Sequence, residues 1–189
     1  NLRARTPSLL MKPTLFYLCA PSGAGKNALL SALQTIQAAP YIAIRTITRP
    51  ADATEASEPV TDPEFQRLKT LGVFAMDWVA HGFSYGIRRT ELEKADQIII
   101  NGSRAYWPIA KQQWPELALV TITVSEAILK SRLIARARES EFEIAARLKR
   151  NRQLANDLRL ETPFCSITND GTPQEMAAAL MEAIACTSN

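Results

Sequence analysis

Two hydrophobic patterns alternate along this chain. Unbroken apolar runs occur at Thr14–Cys19 (TLFYLC), Gln97–Ile100 (QIII) and Leu117–Val124 (LALVTITV). Runs without polar alternation are what strands covered on both faces require. Tyr41–Ile44 and Pro163–Thr168 read as two further short strands. Between these runs, apolar residues recur every three or four positions. Lys26–Gln37 carries Leu29, Leu30, Leu33 and Ile36 on one stripe and is ended by Pro40. Asp62 is read as the cap of a helix bearing Phe65, Leu68 and Leu71. Further helices are expected at Glu91–Lys94, at Ala105–Gln113 before Trp114–Pro115, and at Glu126–Arg136 behind Ser125. Two more are expected near Phe142–Leu154 and at Pro173–Ala185 behind Thr172. Gly72–Gly86 predicts two short strands around a turn at His81–Gly82, and Arg49–Pro63 (RPADATEASEPVTDP) reads as a loop. Buried strands alternating with amphipathic helices predict an α/β fold, a central parallel sheet with helices on both faces. No repeat or dividing linker is evident. Residues 13–186 are therefore expected to form a single domain and residues 1–12 a flexible arm, with Met11 an alternative natural start.

Composition agrees with a globular chain. Of 189 residues, 47% are hydrophobic and 22% charged, enough for one sizeable core. The net charge of +3 is too mild to imply nucleic acid, but its distribution is uneven. Arg132, Arg136, Arg138, Arg147, Lys149, Arg150 and Arg152 crowd one stretch, which suits an anionic small molecule or, more plainly, a solvated helix face. Cys19, Cys165 and Cys186 form no CxxC pair and sit in apolar or small-residue runs, so buried free thiols in a reducing, cytoplasmic compartment are expected. No apolar run approaches the roughly 18 residues of a membrane span, and no membrane partner is expected.

The chemistry enters at Ala20–Lys26 (APSGAGK). A strand, a glycine turn and a helix opening at a lysine make a phosphate cradle, in which successive N–H groups and the helix N-terminus face one anion. The full pattern is GxxxxGK[ST]. Here Ala20 replaces the first glycine and Asn27 the hydroxyl residue that binds magnesium, while Ser22, Gly23, Ala24, Gly25 and Lys26 keep the cradle. An amide oxygen also ligates magnesium, which makes Asn27 a candidate metal ligand. Strand Gln97–Ile100 ends in Asn101 where a carboxylate is usual, so Asp77 and Glu58 are further carboxylates to examine.

Beyond the P-loop, the chain resembles the guanylate kinase superfamily over Leu15–Ile184. PSGAGK at Pro21–Lys26 resembles PSGxGK; ITRP at Ile47–Pro50 resembles TTRxP. GVFAMDWVAHGFSYGI at Gly72–Ile87 runs without gaps along GEFLEWAxxxGNYYGT. RLIARARESEFEIAARL at Arg132–Leu148 is similar to the lid RLxxRGTxxxxxIxxRL, and Asn169–Asp170 to the NDD near the adenine pocket. Guanylate kinases read guanine with the second glutamate of GEFLEW and the residue after YYG. Met76 and Ile87 stand there and cannot accept from guanine donors. The ribose 1,5-bisphosphate phosphokinase branch resembles the chain further, at NGSRA (Asn101–Ala105), TITRPA (Thr46–Ala51), RARES (Arg136–Ser140) and TNDG (Thr168–Gly171). That branch has GKD after the P-loop, where this chain has Asn27 and then Ala28.

The resemblance implies a P-loop kinase three-layer fold with an acceptor-binding insertion at about 45–90 and an arginine-rich lid at about 132–150. It implies transfer from ATP, with Mg²⁺, to ribose 1,5-bisphosphate. It assigns Lys26 and the Gly23–Lys26 amides to the ATP phosphates, Arg132, Arg136 and Arg147 to the transferring group, and Arg138 and Asn169 to the nucleotide. Arg49 and Tyr85 would hold an acceptor phosphate, with Asn101, Ser103 and Arg104 lining the ribose or its second phosphate. His81 is given no role, and Trp107 and Trp114 read as packing. A homodimer, a nucleoside monophosphate kinase and a non-catalytic module with a decayed P-loop stay open.

Overall fold

A computed structural model of the chain describes residues 12–50, 56–135, 140–158 (side chains to 153) and 162–186. The expectations for residues 1–11, Arg136 and Arg138 lie outside them. The apolar run Thr14–Cys19 forms β1, the middle strand of a five-stranded sheet. On one side it pairs in parallel with β7 (Gln97–Asn101), from Thr14↔Gln97 to Leu18↔Asn101. On the other it pairs with β8 (Ala118–Thr123), from Phe16↔Ala118 to Cys19↔Thr121. The edges are β2 (Tyr41–Ile42) and β9 (Cys165–Thr168), both parallel, giving the order β2-β7-β1-β8-β9.

Alternation along β1 feeds two cores. Phe16 and Leu18 pack with α1 (Lys26–Leu33) and α6 (Pro173–Cys186) on one face. Leu15, Tyr17 and Cys19 pack on the other against Ile47, Met76, Trp78 and Ile87 of a second sheet, and against Trp107 of α3 (Trp107–Gln113). The second sheet has the order β4-β3-β6-β5, from β3 (Arg45–Ile47), β4 (Ser57–Pro59), β5 (Phe74–Ala80) and β6 (Phe83–Arg88). Its β5–β6 hairpin turns at His81 and Gly82 with φ of 52° and 79°, as a two-residue turn matched to strand twist requires. Beside it, α2 (Asp62–Thr70) packs Phe65 and Leu68 on Phe74. The arginine-rich stretch forms α4 (Glu126–Ala135) and α5 (Glu141–Leu158), joined through Leu129, Leu133, Ile144 and Leu148.

Several boundaries differ from the pattern for local reasons. Helix α1 stops at Leu33, because the Thr35 N–H and hydroxyl both take the Ala32 carbonyl and Ile36 bonds to Leu33. The strand expected at Tyr41–Ile44 ends at Ile42. Ala43 still donates to Ile99, but the Ile44 N–H turns to the Glu91 carboxylate at 2.7 Å, and the chain restarts as β3. The expected loop contains β4, parallel to β3. Thr61, not Asp62, caps α2, accepting from Glu64 N at 3.3 Å. The helix expected at Glu91–Lys94 is a 3₁₀ turn over Arg89–Glu93, and the one at Ala105 begins as a 3₁₀ turn over Arg104–Tyr106. Thr172 does cap α6, in a box with Glu175 whose carboxylate these bonds hold below its ordinary range. Only Cys19 of the three thiols is buried; Cys165 is half-buried and Cys186 exposed.

Candidate active site

The carboxyl ends of β1 and β7 lie side by side, where open parallel sheets bind ligands. The turn after β1 is the P-loop. Gly23 and Gly25 both have φ of 91°, which side chains disfavour. At Gly25 a Cβ would also lie 2.3 Å from the Asn169 amide nitrogen. Lys26 opens α1, and its ammonium donates to the Gly102 carbonyl after β7 at 2.8 Å. The Gly102–Arg104 turn is itself tied down, since the Tyr17 hydroxyl donates to Ser103 O and accepts from Ser103 N, both at 3.0 Å. Burial raises the Tyr17 pKa well above its ordinary value, so the phenol stays neutral.

A cleft of about 550 Å³ opens over these turns. Lys26, Arg45, Arg104, Arg147 and Arg150 line it, and no Asp or Glu does among the described residues. Such a field selects for an anion. From α5, Arg147 donates to the P-loop hydroxyl of Ser22 at 3.0 Å. Arg104 is largely buried, and desolvation lowers its pKa. It donates to Asn151 of the same helix, to Oδ1 at 2.5 Å and to the backbone carbonyl at 3.4 Å. One wall is aromatic: Trp78 stacks on Tyr85 at 5.7 Å and on Tyr106 at 5.4 Å, and the Arg45 guanidinium lies 5.0 Å from the Tyr85 ring centre. Behind this wall, Met76 and Ile87 are register partners across β5–β6, 1% and 0% exposed, within the core.

The residues expected from the motifs divide into two groups. Ser22, Gly23, Gly25, Lys26, Asn27, Tyr85, Ser103, Arg104 and Arg147 line the cleft. Ala24, Arg49, Asn101, Arg132 and Asn169 do not. Ala24 is fully buried, with its carbonyl turned to Asn169. Asn101 is 1% exposed and offers its backbone carbonyl to Arg45 at 3.3 Å, so it shapes the wall from behind. Arg49 is half-buried on the loop after β3. Asn169 lies under the P-loop, where its Nδ2 donates to Ala24 O at 2.6 Å and its Oδ1 accepts from Arg132 at 3.3 Å. These bonds make Asn169 a buckle joining β9, the P-loop and α4. Neither carboxylate proposed for metal lines the cleft. Asp77 pairs with Lys69, and Glu58 pairs with Arg88 at 2.7 Å and with Thr46, contacts that hold its carboxyl below the usual range. Arg45, Trp78 and Asn151 line the cleft with no role expected of them, as do His81, which is given none, and Arg150 of the crowded arginines. Arg45 and Trp78 sit at alternate strand positions that read as ordinary core, and Asn151 is one polar residue within a charged helix.

No protein-family model matches the chain. The ribose 1,5-bisphosphate phosphokinase PhnN of Pectobacterium parmentieri is 38% identical over 186 residues, covering 93% of this chain and 97% of the relative. That of Desulfomicrobium baculatum is 41% identical over 174 residues, covering 88% and 91%. Among solved structures, guanylate kinase from Anaplasma phagocytophilum superposes with a TM-score of 0.68 at 18% identity, over 93% of this chain and 86% of that one. A gluconokinase from Sinorhizobium meliloti superposes with a TM-score of 0.53 at 16% identity, over 93% and 94%. These structures share the fold, and the sequence relatives are close enough over nearly their whole length that the chain belongs to the ribose 1,5-bisphosphate phosphokinase family.

Proposed function

We propose that this chain transfers the γ-phosphoryl group of ATP to the 1-phosphate of α-D-ribose 1,5-bisphosphate, giving ADP and 5-phosphoribosyl 1-diphosphate. A bond forms from an oxygen of the 1-phosphate to the γ-phosphorus, and the bond from that phosphorus to the β,γ-bridging oxygen breaks. The observation that carries this reading is kinship at 38–41% identity with proteins named for that activity. The acceptor wall supports it. Met76 and Ile87, at the positions where guanylate kinases read guanine, are apolar and buried behind that wall, and cations line the cleft itself.

The acceptor is already an anionic oxygen, so the site needs no strong general base. The work left for the protein is positioning and neutralisation of charge. The Gly23–Lys26 turn and the Lys26 ammonium suit the β- and γ-phosphates. Arg147 reaches the same turn from α5 and is assigned to the transferring group, with Arg132 and the P-loop joined through Asn169. Tyr85, Ser103 and Arg104 are assigned to the acceptor, with Arg49 at its margin. Magnesium bound with ATP would supply positive charge against the phosphates. Asn27 is the protein side chain in the cleft suited to hold it, and no cluster of three His, Cys, Asp or Glu residues occurs among the described residues. A cytoplasmic setting belongs to the same reading, with the free thiols of Cys19, Cys165 and Cys186 in its support. No helix among the described residues is long and apolar enough to cross a membrane.

The test is kcat/KM for ribose 1,5-bisphosphate, GMP, AMP and UMP under one set of conditions. Two unpaired guanine donors at roughly 1–3 kcal/mol each would weaken GMP use by about two to four powers of ten. A GMP value equal to that for the bisphosphate would restore a nucleotide kinase. Failure of every acceptor would leave a nucleotide-binding module.

A further inference from the structure

Asn151 lines the cleft wall, and no motif explains its chemistry. It sits on α5 and is 8% exposed. Its amide orientation is set by its neighbour. A guanidinium has only donors, so the oxygen must face Arg104, and the 2.5 Å bond to Arg104 Nη2 is to Oδ1. The NH₂ group is then left over, and Nδ2 is buried with no hydrogen-bond partner among the described residues. Buried donors are rarely left so, and the exceptions cluster where a ligand completes them.

Arg104 has the complementary deficit. It lies on the turn after β7, next to the carbonyl that holds Lys26. Its hydrogen bonds are the two to Asn151, and no carboxylate pairs with it among the described residues. A largely buried cation that is held by a neutral amide keeps its whole charge for something else. A cation without a counter-ion and a donor without an acceptor, carried by two hydrogen-bonded side chains in the wall of an anion-selecting cleft, lack one thing in common. That is an oxyanion with several acceptor oxygens.

We infer that Asn151 and Arg104 form a phosphate subsite for the bisphosphate acceptor, in which Asn151 donates through Nδ2 to a phosphate oxygen while its Oδ1 holds the Arg104 fork in place. The identity of the ligand rests on the proposed function, but the subsite rests on the two side chains. Because Asn151 rides on α5 with Arg147, an acceptor phosphate bound here ties that helix to the Gly102–Arg104 turn. An aspartate at this position would pair with Arg104, cancel its charge and remove the donor.

The experiment compares the wild type with Asn151→Asp, Asn151→Leu and Asn151→Gln. At saturating ATP, the first two are expected to raise KM for ribose 1,5-bisphosphate about tenfold or more, with KM for ATP changed less than about twofold. Asn151→Gln, which keeps both amide groups, should recover part of the loss. A second readout needs no turnover. With the nucleotide site filled by ADP, inorganic phosphate added to the ¹⁵N-labelled wild type should shift the Asn151 side-chain amide signal. That signal is identified as the pair missing from Asn151→Asp. A shifted signal in an enzyme that ignores ribose 1,5-bisphosphate would keep the subsite and overturn the acceptor assignment. Normal turnover with an unmoved signal and unchanged acceptor KM in Asn151→Asp would overturn the subsite and keep the function.

Discussion

Asn169→Ala separates two roles that the same residue type serves in different places. The asparagine is 4% exposed beneath the P-loop. Its Nδ2 donates to the Ala24 carbonyl at 2.6 Å, and Ala24 is itself fully buried. Truncation leaves that carbonyl with no replacement from water. Arg132 loses less, because it also donates to the Asn169 backbone carbonyl at 3.4 Å, which the substitution spares. One orphaned buried acceptor costs about 1–3 kcal/mol. For a chain of this size each kcal/mol lowers Tm by about 2–4 °C, so a loss near 2 kcal/mol gives roughly 4–8 °C. The P-loop is the segment released, so KM for ATP and for GTP should rise together. Asn169→Asp sharpens the test, since a carboxylate cannot donate to Ala24 O but pairs more strongly with Arg132; it should be no better than alanine. The assays are thermal melting and steady-state kinetics with both nucleotides. An unchanged Tm with a rise in KM for ATP alone would place Asn169 at the adenine ring and refute the buckle.

Lys26→Ala removes the ammonium that bonds to Gly102 O and should lower kcat by about 10²–10³ with circular dichroism unchanged; full turnover would dismiss the cradle as a phosphate site. Asn27→Asp or Asn27→Ser should shift the magnesium titration of activity to lower concentration, and two superimposable titrations would place Asn27 away from the metal. Cys186, exposed, should react with a thiol reagent at pH 8 well before half-buried Cys165, while Cys19 stays unreacted until the protein unfolds. Burial pushes the Cys19 thiol up to about 12. The unfolded chain loses that proton from about pH 8.5 upward while the folded chain keeps it, so this thiol's contribution to stability falls as pH rises from there to about 12. A stability that climbs over that window in the wild type but not in Cys19→Ala would reverse the sign.

Much of the fold is legible in the order of residues because the relevant interactions are local or averaged over a whole element. TLFYLC, QIII and LALVTITV have no polar face, so they had to become inner strands of a parallel sheet, and they are β1, β7 and β8. GAGK after such a strand had to form an anion cradle, since glycine torsions and a helix N-terminus act within a few residues. That Met76 and Ile87 offer no acceptor to a guanine was visible through side-chain chemistry, once the resemblance had located those two positions. Which residues stand beside the cradle was decided only by tertiary packing. Asn101 and Asn169 carry motif-like signals yet are buried, because β7 delivers Asn101 behind the cleft wall at Arg45 and β9 delivers Asn169 beneath the P-loop. Arg45 and Asn151 carry no signal at all. Their meaning arises where elements 47 or more residues apart in sequence meet, as Arg104 does with Asn151 and Arg45 with Asn101. A hydrogen bond across such a separation leaves no periodicity behind, and the charge of a cleft is a sum over strands and helices that only the folded chain assembles.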